Sequence, residues 1–374
     1  MRVYLLVLLI AAAVTYLVTP VARWVALRVG AITAVRDRDV HAVPTPRLGG
    51  IAMLAGLAVA FAVASQIPFL AGVFADSRQA WGILGAATMV CLLGVADDIW
   101  DLDWITKLVG QVLAAGFLAW SRVLLFQLPI GSALFASSDR TWLFLTVLTV
   151  VVAMNAVNFV DGLDGLAAGM IAIGGTAFFV YTYLLTREAS PTDVSNLATL
   201  AMAALVGACL GFLPHNFYPA RIFMGDSGSM LIGLVIAAAT IVVTGQIDPA
   251  VVTARQTIPA FLPILLPIAV LLLPLLDMGL AVIRRVGAGR SPFHPDRMHL
   301  HHRLLALGHS HRRAVVIMYL WTAVFAFGAA ALVLLPTTTV LWTLAAAAVV
   351  AVLLTLGPLR GRDRAGHLDE GNTP

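Results

Sequence analysis

Apolar residues run almost unbroken along this chain in stretches of about 17 to 25, long enough as helices to cross a hydrocarbon core of about 30 Å. These runs predict eleven helices, at approximately 4–20, 48–66, 80–96, 107–121, 141–157, 165–186, 197–213, 228–245, 258–283, 314–334 and 339–357. An outer-membrane barrel would instead alternate apolar and polar positions over about ten residues. The expected fold is therefore an all-α polytopic membrane protein, with residues 1–357 forming one transmembrane bundle. Residues 358–374 are polar, carry Gly and Pro, and read as a disordered cytoplasmic tail. The first run lacks a small-residue cleavage site and is followed by Arg23 and Arg28, so it reads as an uncleaved helix.

Composition sharpens this picture. Of 374 residues, 60% are hydrophobic and 11% charged, outside the range of ordinary soluble domains. With the N-terminus outside, the inner segments 20–47, 97–107, 158–164, 214–227, 284–313 and the tail hold 17 of the 23 Lys and Arg residues. That asymmetry sets the orientation, with the C-terminus cytoplasmic and the protein in the inner (plasma) membrane. The net charge of +4 then reflects topology and anionic membrane lipids, and calls for no nucleic acid. Cys91 and Cys209 lie in apolar helices and read as reduced packing residues.

The orientation also gathers the acids on one side of the membrane. The stretch Asn155–Gly169 puts Asn158, Asp161 and Asp164 at i, i+3 and i+6 between long apolar runs. A helical end or turn there would present carboxylates to one site, and carboxylates at a bilayer edge point to cation or phosphate chemistry. A polar inter-helix turn is the bland alternative. Upstream, Pro44-Thr45-Pro46-Arg47-Leu48-Gly49-Gly50 is an extended, then turned, helix entrance that could lay Arg47 and glycine amides against a phosphate.

Helix three ends in Asp97, Asp98, Asp101 and Asp103, which repel one another unless a cation or proton compensates. Aspartate oxygens suit Mg²⁺, which shares substrate phosphates and keeps waters. Asp101 and Asp103 read as loop and cap residues, Asp97 and Asp98 as site residues. Lys107 is the sole lysine in a chain that otherwise uses arginine, placed to neutralise these acids or hold a phosphate. Asp226, framed by Gly225 and Ser227-Gly228-Ser229, opens another helix whose amides favour anions, though an N-cap would look the same.

Six of the nine histidines lie between His294 and His311. Zinc is disfavoured, since no cysteine or second carboxylate completes a set with His299, His302 and Asp296. Clustered His and Arg beside Pro turns fit a diphosphate or sugar better.

Together, ProThrProArgLeuGlyGly (44–50), AspAsp (97, 98), AsnPheValAspGlyLeuAspGly (158–165), PheMetGlyAspSerGlySer (223–229) and ProAspArgMetHisLeuHisHis (295–302) resemble the polyprenyl-phosphate N-acetylhexosamine-1-phosphate transferases. The resemblance covers nearly the whole chain. It implies a Mg²⁺-dependent enzyme, with Mn²⁺ as a substitute ion, that transfers a sugar 1-phosphate from a UDP-sugar to a polyprenyl phosphate and releases UMP. It implies Asp97 as the base at the lipid phosphate with Asp98 beside it, and Asp226 as metal ligand or, in a two-step scheme, nucleophile. Asp98 and Asp161 join Asp226 as metal candidates. Asn158, Asp161 and Asp164 would line the nucleotide and metal site, with Arg47 and Lys107 on phosphate, and Arg297, His299, His301 and His302 at the diphosphate or sugar.

The final loop looks like the N-acetylglucosamine branch and departs from the compact three-histidine loop of the muramoyl-pentapeptide branch, which stays the alternative. The Ala, Val and Arg bias suits a high-GC, actinobacterial source and a decaprenyl acceptor, and a homodimer stays open. Two rivals compete. A prenyltransferase would explain Asp97-Asp98-x-x-Asp101 but neither the Asp226 stretch nor the His/Arg loop. An ion-coupled transporter would place acids near the midplane of related halves.

Overall fold

A computed structural model describes residues 1–33, 44–75, 77–125, 128–130, 133–135, 138–189, 195–245, 257–289, 291 and 299–357. Arg297 and the expected tail at 358–374 lie outside the described residues.

Every expected apolar run is helical, all but one of them as a single helix. In order these are α1 (Arg2–Val29), α2 (Gly49–Ala64), α3 (Ala71–Ala75), α4 (Ser77–Trp100), α5 (Trp104–Trp120), α6 (Asp139–Val160), α7 (Leu166–Ala189), α8 (Leu197–Asn216) and α9 (Gly225–Thr244). There follow α10 (Thr257–Val270), α11 (Leu272–Gly287), α12 (Leu300–Ala306), α13 (His311–Leu334) and α14 (Thr337–Leu356). Two small antiparallel strand pairs, Ile32–Thr33 with Thr45–Pro46 and Leu128–Ile130 with Ala133–Phe135, and a 3₁₀ turn at Pro68–Leu70 complete the elements. Among the described residues, eight helices are long and apolar enough to span a membrane, and ten if each bent pair counts once. α5, at 17 residues, is a shorter apolar helix.

One expectation is corrected in detail. The run at 258–283 is not one helix but two, bent by 70° between Val270 and Leu272. Pro274 supplies the reason: it has no N–H to donate, and its ring would clash with the carbonyl of Val270 in a continuous helix, so it sits in the first turn of a new one.

α8 and α9 are buried almost along their whole lengths and form the centre of the bundle. Small residues let the backbones meet. A Cβ at Gly207 or Gly211 of α8 would collide with the α1 backbone at Leu8 or Ala12, and one at Gly233 of α9 with Met154 of α6. α1 and α14 instead present long rows of exposed Leu, Val and Trp, as a lipid-facing helix does.

Candidate active site

The polar ends of these helices meet at one end of the bundle, and the chain's ordinary capping rules account for part of the arrangement. Asp103 accepts the amides of Ile105 and Thr106 at 3.0 and 3.1 Å, so it caps α5, as expected. That cap starts α5 directly after α4 and brings Lys107 back over the end of α4. Its ammonium lies 2.9 Å from Asp97 Oδ2 and also bonds Asp226 Oδ2 at the start of α9. All three side chains are largely shielded from solvent.

Asp98 faces the other way. Its Oδ1 accepts the Asp226 amide at 3.1 Å and its Oδ2 the Ser227 amide at 3.3 Å. The carboxylate thus caps α9 from a neighbouring helix and sits against the positive end of its dipole. Two glycines make the approach possible: a Cβ at Gly225 would overlap the Asp98 carboxylate, and one at Gly94 would overlap the Asp226–Ser227 backbone. Gly225 also holds a φ of 68°, which suits glycine.

This corrects two expectations about free amides. The amides of Asp226 and Ser227 are engaged by Asp98, and Gly228 N donates to Met224 O at 3.2 Å. The amides of Gly49 and Gly50 donate to the Phe223 and Met224 carbonyls at 3.0 and 3.1 Å, and Phe223 N donates back to Pro46 O at 2.8 Å. The two glycine-bearing motifs are therefore zipped to each other, because each leaves the backbone groups that the other lacks. Their glycines serve close packing, with Gly50 against the Ser227–Gly228 backbone.

The central stretch splits by role. Asn158, in the last turn of α6, donates to Ser229 Oγ at 2.9 Å and so lies beside Asp226. Asp161 is half-buried just past α6. Burial, with the charges of Asp226 and Asp98, pushes its carboxyl up to about 8, the neighbouring Arg47 pulling the other way. Asp164 is buried, and its Oδ2 accepts the Ala220 amide at 2.8 Å. It braces the turn against the loop that leads into α9.

Asn216, unmarked in the sequence analysis, completes that brace: its Oδ1 accepts Gly165 N at 3.1 Å and its Nδ2 donates to Ile222 O at 3.0 Å. Tyr319 of α13 closes it from outside by donating to Gly165 O at 2.5 Å.

The histidines pack against the same turn. A Cβ at Gly162 would strike the ring of buried His301. Burial and the neighbouring His302 hold His301 down at about 3, so it is neutral at physiological pH. Its ring stacks parallel to His299 at 5.6 Å and lies 4.3 Å from His302. His299 immediately precedes α12 and pairs with Asp277 of α11, a second residue that sequence reasoning missed. Its signal was available: Asp277 is a lone carboxylate in a long apolar run.

Among the described residues no three His, Cys, Asp or Glu side chains converge as a ready-made metal cage. The charge balance nevertheless fits a divalent ion shared with a phosphate. The Asp226 charge bears on Asp97, Asp98 and Asp161 alike, while among the described residues Lys107 faces Asp97 and Arg47 faces Asp98 and Asp161, and the raised Asp161 carboxyl expresses the crowding of acids.

The decaprenyl-phosphate N-acetylglucosaminephosphotransferase of Mycolicibacterium smegmatis is 45% identical over 373 residues, covering 98% of this chain and 91% of its own length. The chain belongs to the polyprenyl-phosphate N-acetylhexosamine-1-phosphate transferase family. The family model described as glycosyl transferase family 4 matches residues 80–244, which hold Asp97, Asp98, Lys107, Asn158, Asp161, Asp164 and Asp226. A probable undecaprenyl-phosphate N-acetylglucosaminyl 1-phosphate transferase of Bacillus subtilis is 30% identical over 317 residues, 84% of this chain and 80% of its own. A phospho-N-acetylmuramoyl-pentapeptide-transferase of Desulforudis audaxviator is 32% identical over 305 residues, 76% of this chain and 83% of its own.

Proposed function

We propose that this protein transfers N-acetylglucosamine 1-phosphate from UDP-N-acetylglucosamine to a polyprenyl phosphate, decaprenyl or undecaprenyl, giving polyprenyl-diphosphate-N-acetylglucosamine and UMP. This would be the first membrane step of a cell-wall or surface glycan. The observation that carries the reading is Lys107 held between Asp97 and Asp226 from three helices, a charged centre at the end of an apolar bundle. The donor is supported by the near full-length relatives named for N-acetylglucosamine, at 45% identity against 32% for a muramoyl-pentapeptide relative. Eleven crossings, counting α5 and each bent pair, would put the N-terminus outside and this centre at the cytoplasmic face of the plasma membrane.

In the reaction, an oxygen of the lipid phosphate attacks the sugar-linked phosphorus of the donor. The bond from that phosphorus to the bridging oxygen breaks, and the bridging oxygen leaves with UMP. The lipid phosphate is already ionised at neutral pH, so direct attack needs no covalent aspartyl intermediate. Such displacement depends on positioning and charge neutralisation.

Asp97 orients the attacking phosphate and accepts any residual proton, while Lys107 holds Asp97 and Asp226 in one site and stabilises charge that develops on the transferred group. Asp226 and Asp161 would hold Mg²⁺, which when bound neutralises the diphosphate. Asp98 fixes the start of α9 and thereby the position of Asp226. Arg47, with His299, His301, His302 and Arg297 of the last loop, would meet the diphosphate or sugar, and Asn158 the nucleotide.

The test is UMP release and labelled lipid product from purified protein with polyprenyl phosphate and UDP-N-acetylglucosamine, with and without Mg²⁺. Metal-dependent appearance of both products is expected. Product only with UDP-MurNAc-pentapeptide would move the donor, and no product with any UDP-sugar would end the reading. A nucleotide or sugar-phosphate adduct on Asp226 would replace direct attack with two steps.

A further inference from the structure

Asp277 is buried to 1% exposure in α11, an apolar helix, and both of its carboxylate oxygens are engaged by the histidine loop. Oδ2 lies 3.1 Å from His299 Nδ1, and Oδ1 accepts the Leu300 amide at 2.8 Å. The Leu300 amide opens α12, so a single carboxylate fixes both the backbone at the helix start and the ring of the residue before it. The rest of the ring is confined as well. Phe159 approaches it edge-on with centroids 5.7 Å apart, the Arg285 guanidinium covers Phe159 at 5.3 Å, and His301 stacks on His299.

We infer that Asp277 is a positioning residue that holds His299 in the tautomer protonated at Nδ1, leaving Nε2 as the nitrogen offered to the phosphate or sugar of the donor. A carboxylate only accepts hydrogen bonds, so the imidazole proton is drawn to the nitrogen facing it. The α10–α11 bend is part of the device, because α11 starts afresh at Leu272 and carries Asp277 in its second turn. This inference rests on the proposed function for the identity of what Nε2 meets. The Asp277–His299 pair itself is independent of it.

The test has two readouts. Protein with ¹⁵N-labelled histidine, in detergent, should show the His299 signal, identified by its loss in His299→Ala, in the Nδ1-protonated form. Asp277→Asn, which keeps size and can still accept the Leu300 amide, should shift that signal to the other tautomer or to a mixture. In the transferase assay, Asp277→Asn should lower kcat by roughly 10- to 100-fold, by analogy with the loss on removing the hydrogen-bond partner behind a metal-ligating histidine. Asp277→Asn combined with His299→Ala should be no slower than His299→Ala alone, because the first acts through the second.

An unchanged tautomer in Asp277→Asn, or losses that multiply in the double variant, would overturn the inference. If wild-type protein shows no transfer from any UDP-sugar, the proposed function fails, and the tautomer measurement still decides the pair.

Discussion

Lys107 and Asp226, separated by 119 positions in the chain, meet in a direct ion pair, and the same ammonium bonds Asp97 at 2.9 Å. A lysine at the first turn of a short apolar helix could equally have turned to the headgroups. It points inward because Asp103 starts α5 immediately after α4, so its first turn lies over the acids of the preceding helix. Two carboxylates that would repel each other are thereby held in one partly shielded site.

Removal of that ammonium is expected to abolish most turnover. Lys107→Gln should lower kcat by about 100-fold or more, the scale seen when a single transition-state donor is lost. Lys107→Arg should not restore it, because a planar fork does not replace a compact point charge between two aspartates. Steady-state UMP release checks both; near-normal activity in either variant would remove Lys107 from the mechanism.

Asp97→Asn and Asp98→Asn should both be inactive, for different reasons. Asp98 bonds two α9 amides, so Asp98→Asn should also lower stability by about 1 kcal/mol, the usual scale of a lost helix cap. Asp97→Asn should melt at or near the wild-type temperature. Melting curves in detergent separate the two, and equal melting temperatures would mean that Asp98 does not support α9.

Glycine positions offer a test independent of charge. Gly50→Ala and Gly94→Ala would push a methyl into the Ser227–Gly228 and Asp226–Ser227 backbone, so each should cost roughly 1 to 3 kcal/mol and displace Asp226. Gly116→Ala, with open space around its Cβ, should leave stability unchanged or slightly raised. Thermal melts and activity of the three variants give the comparison.

A pH dependence follows from Asp161, whose carboxyl is pushed up to about 8. Below that pH the cation-free site is protonated at Asp161, and a divalent ion must displace the proton. Apparent Mg²⁺ affinity should therefore rise from pH 6.5 towards about 8 and level off above that. Mg²⁺ titrations of UMP release across this range check the sign, and Asp161→Asn should flatten the dependence.

The amino-acid sequence alone determined where most of the long helices lie, that their length and apolar character suit a membrane, and which acidic motifs share one end of the bundle. Those features are local: uninterrupted apolar length dictates a helix in lipid, and a charge interrupting such a run is held at its edge. What only the tertiary structure decided is who satisfies whom. Gly49, Gly50 and the first residues of α9 look in sequence like free phosphate-binding amides, yet their partners are Phe223, Met224 and Asp98.

Asp164 and Asn216 resemble Asp161 and Asn158 in composition, but they brace a turn, whereas the latter pair lies beside Asp226. Asp277 finds His299 across 22 positions because a proline restarts the helix between them and the bundle's far end. A buried donor must be satisfied wherever the fold brings an acceptor, and that choice depends on distances between helices that no local spacing encodes.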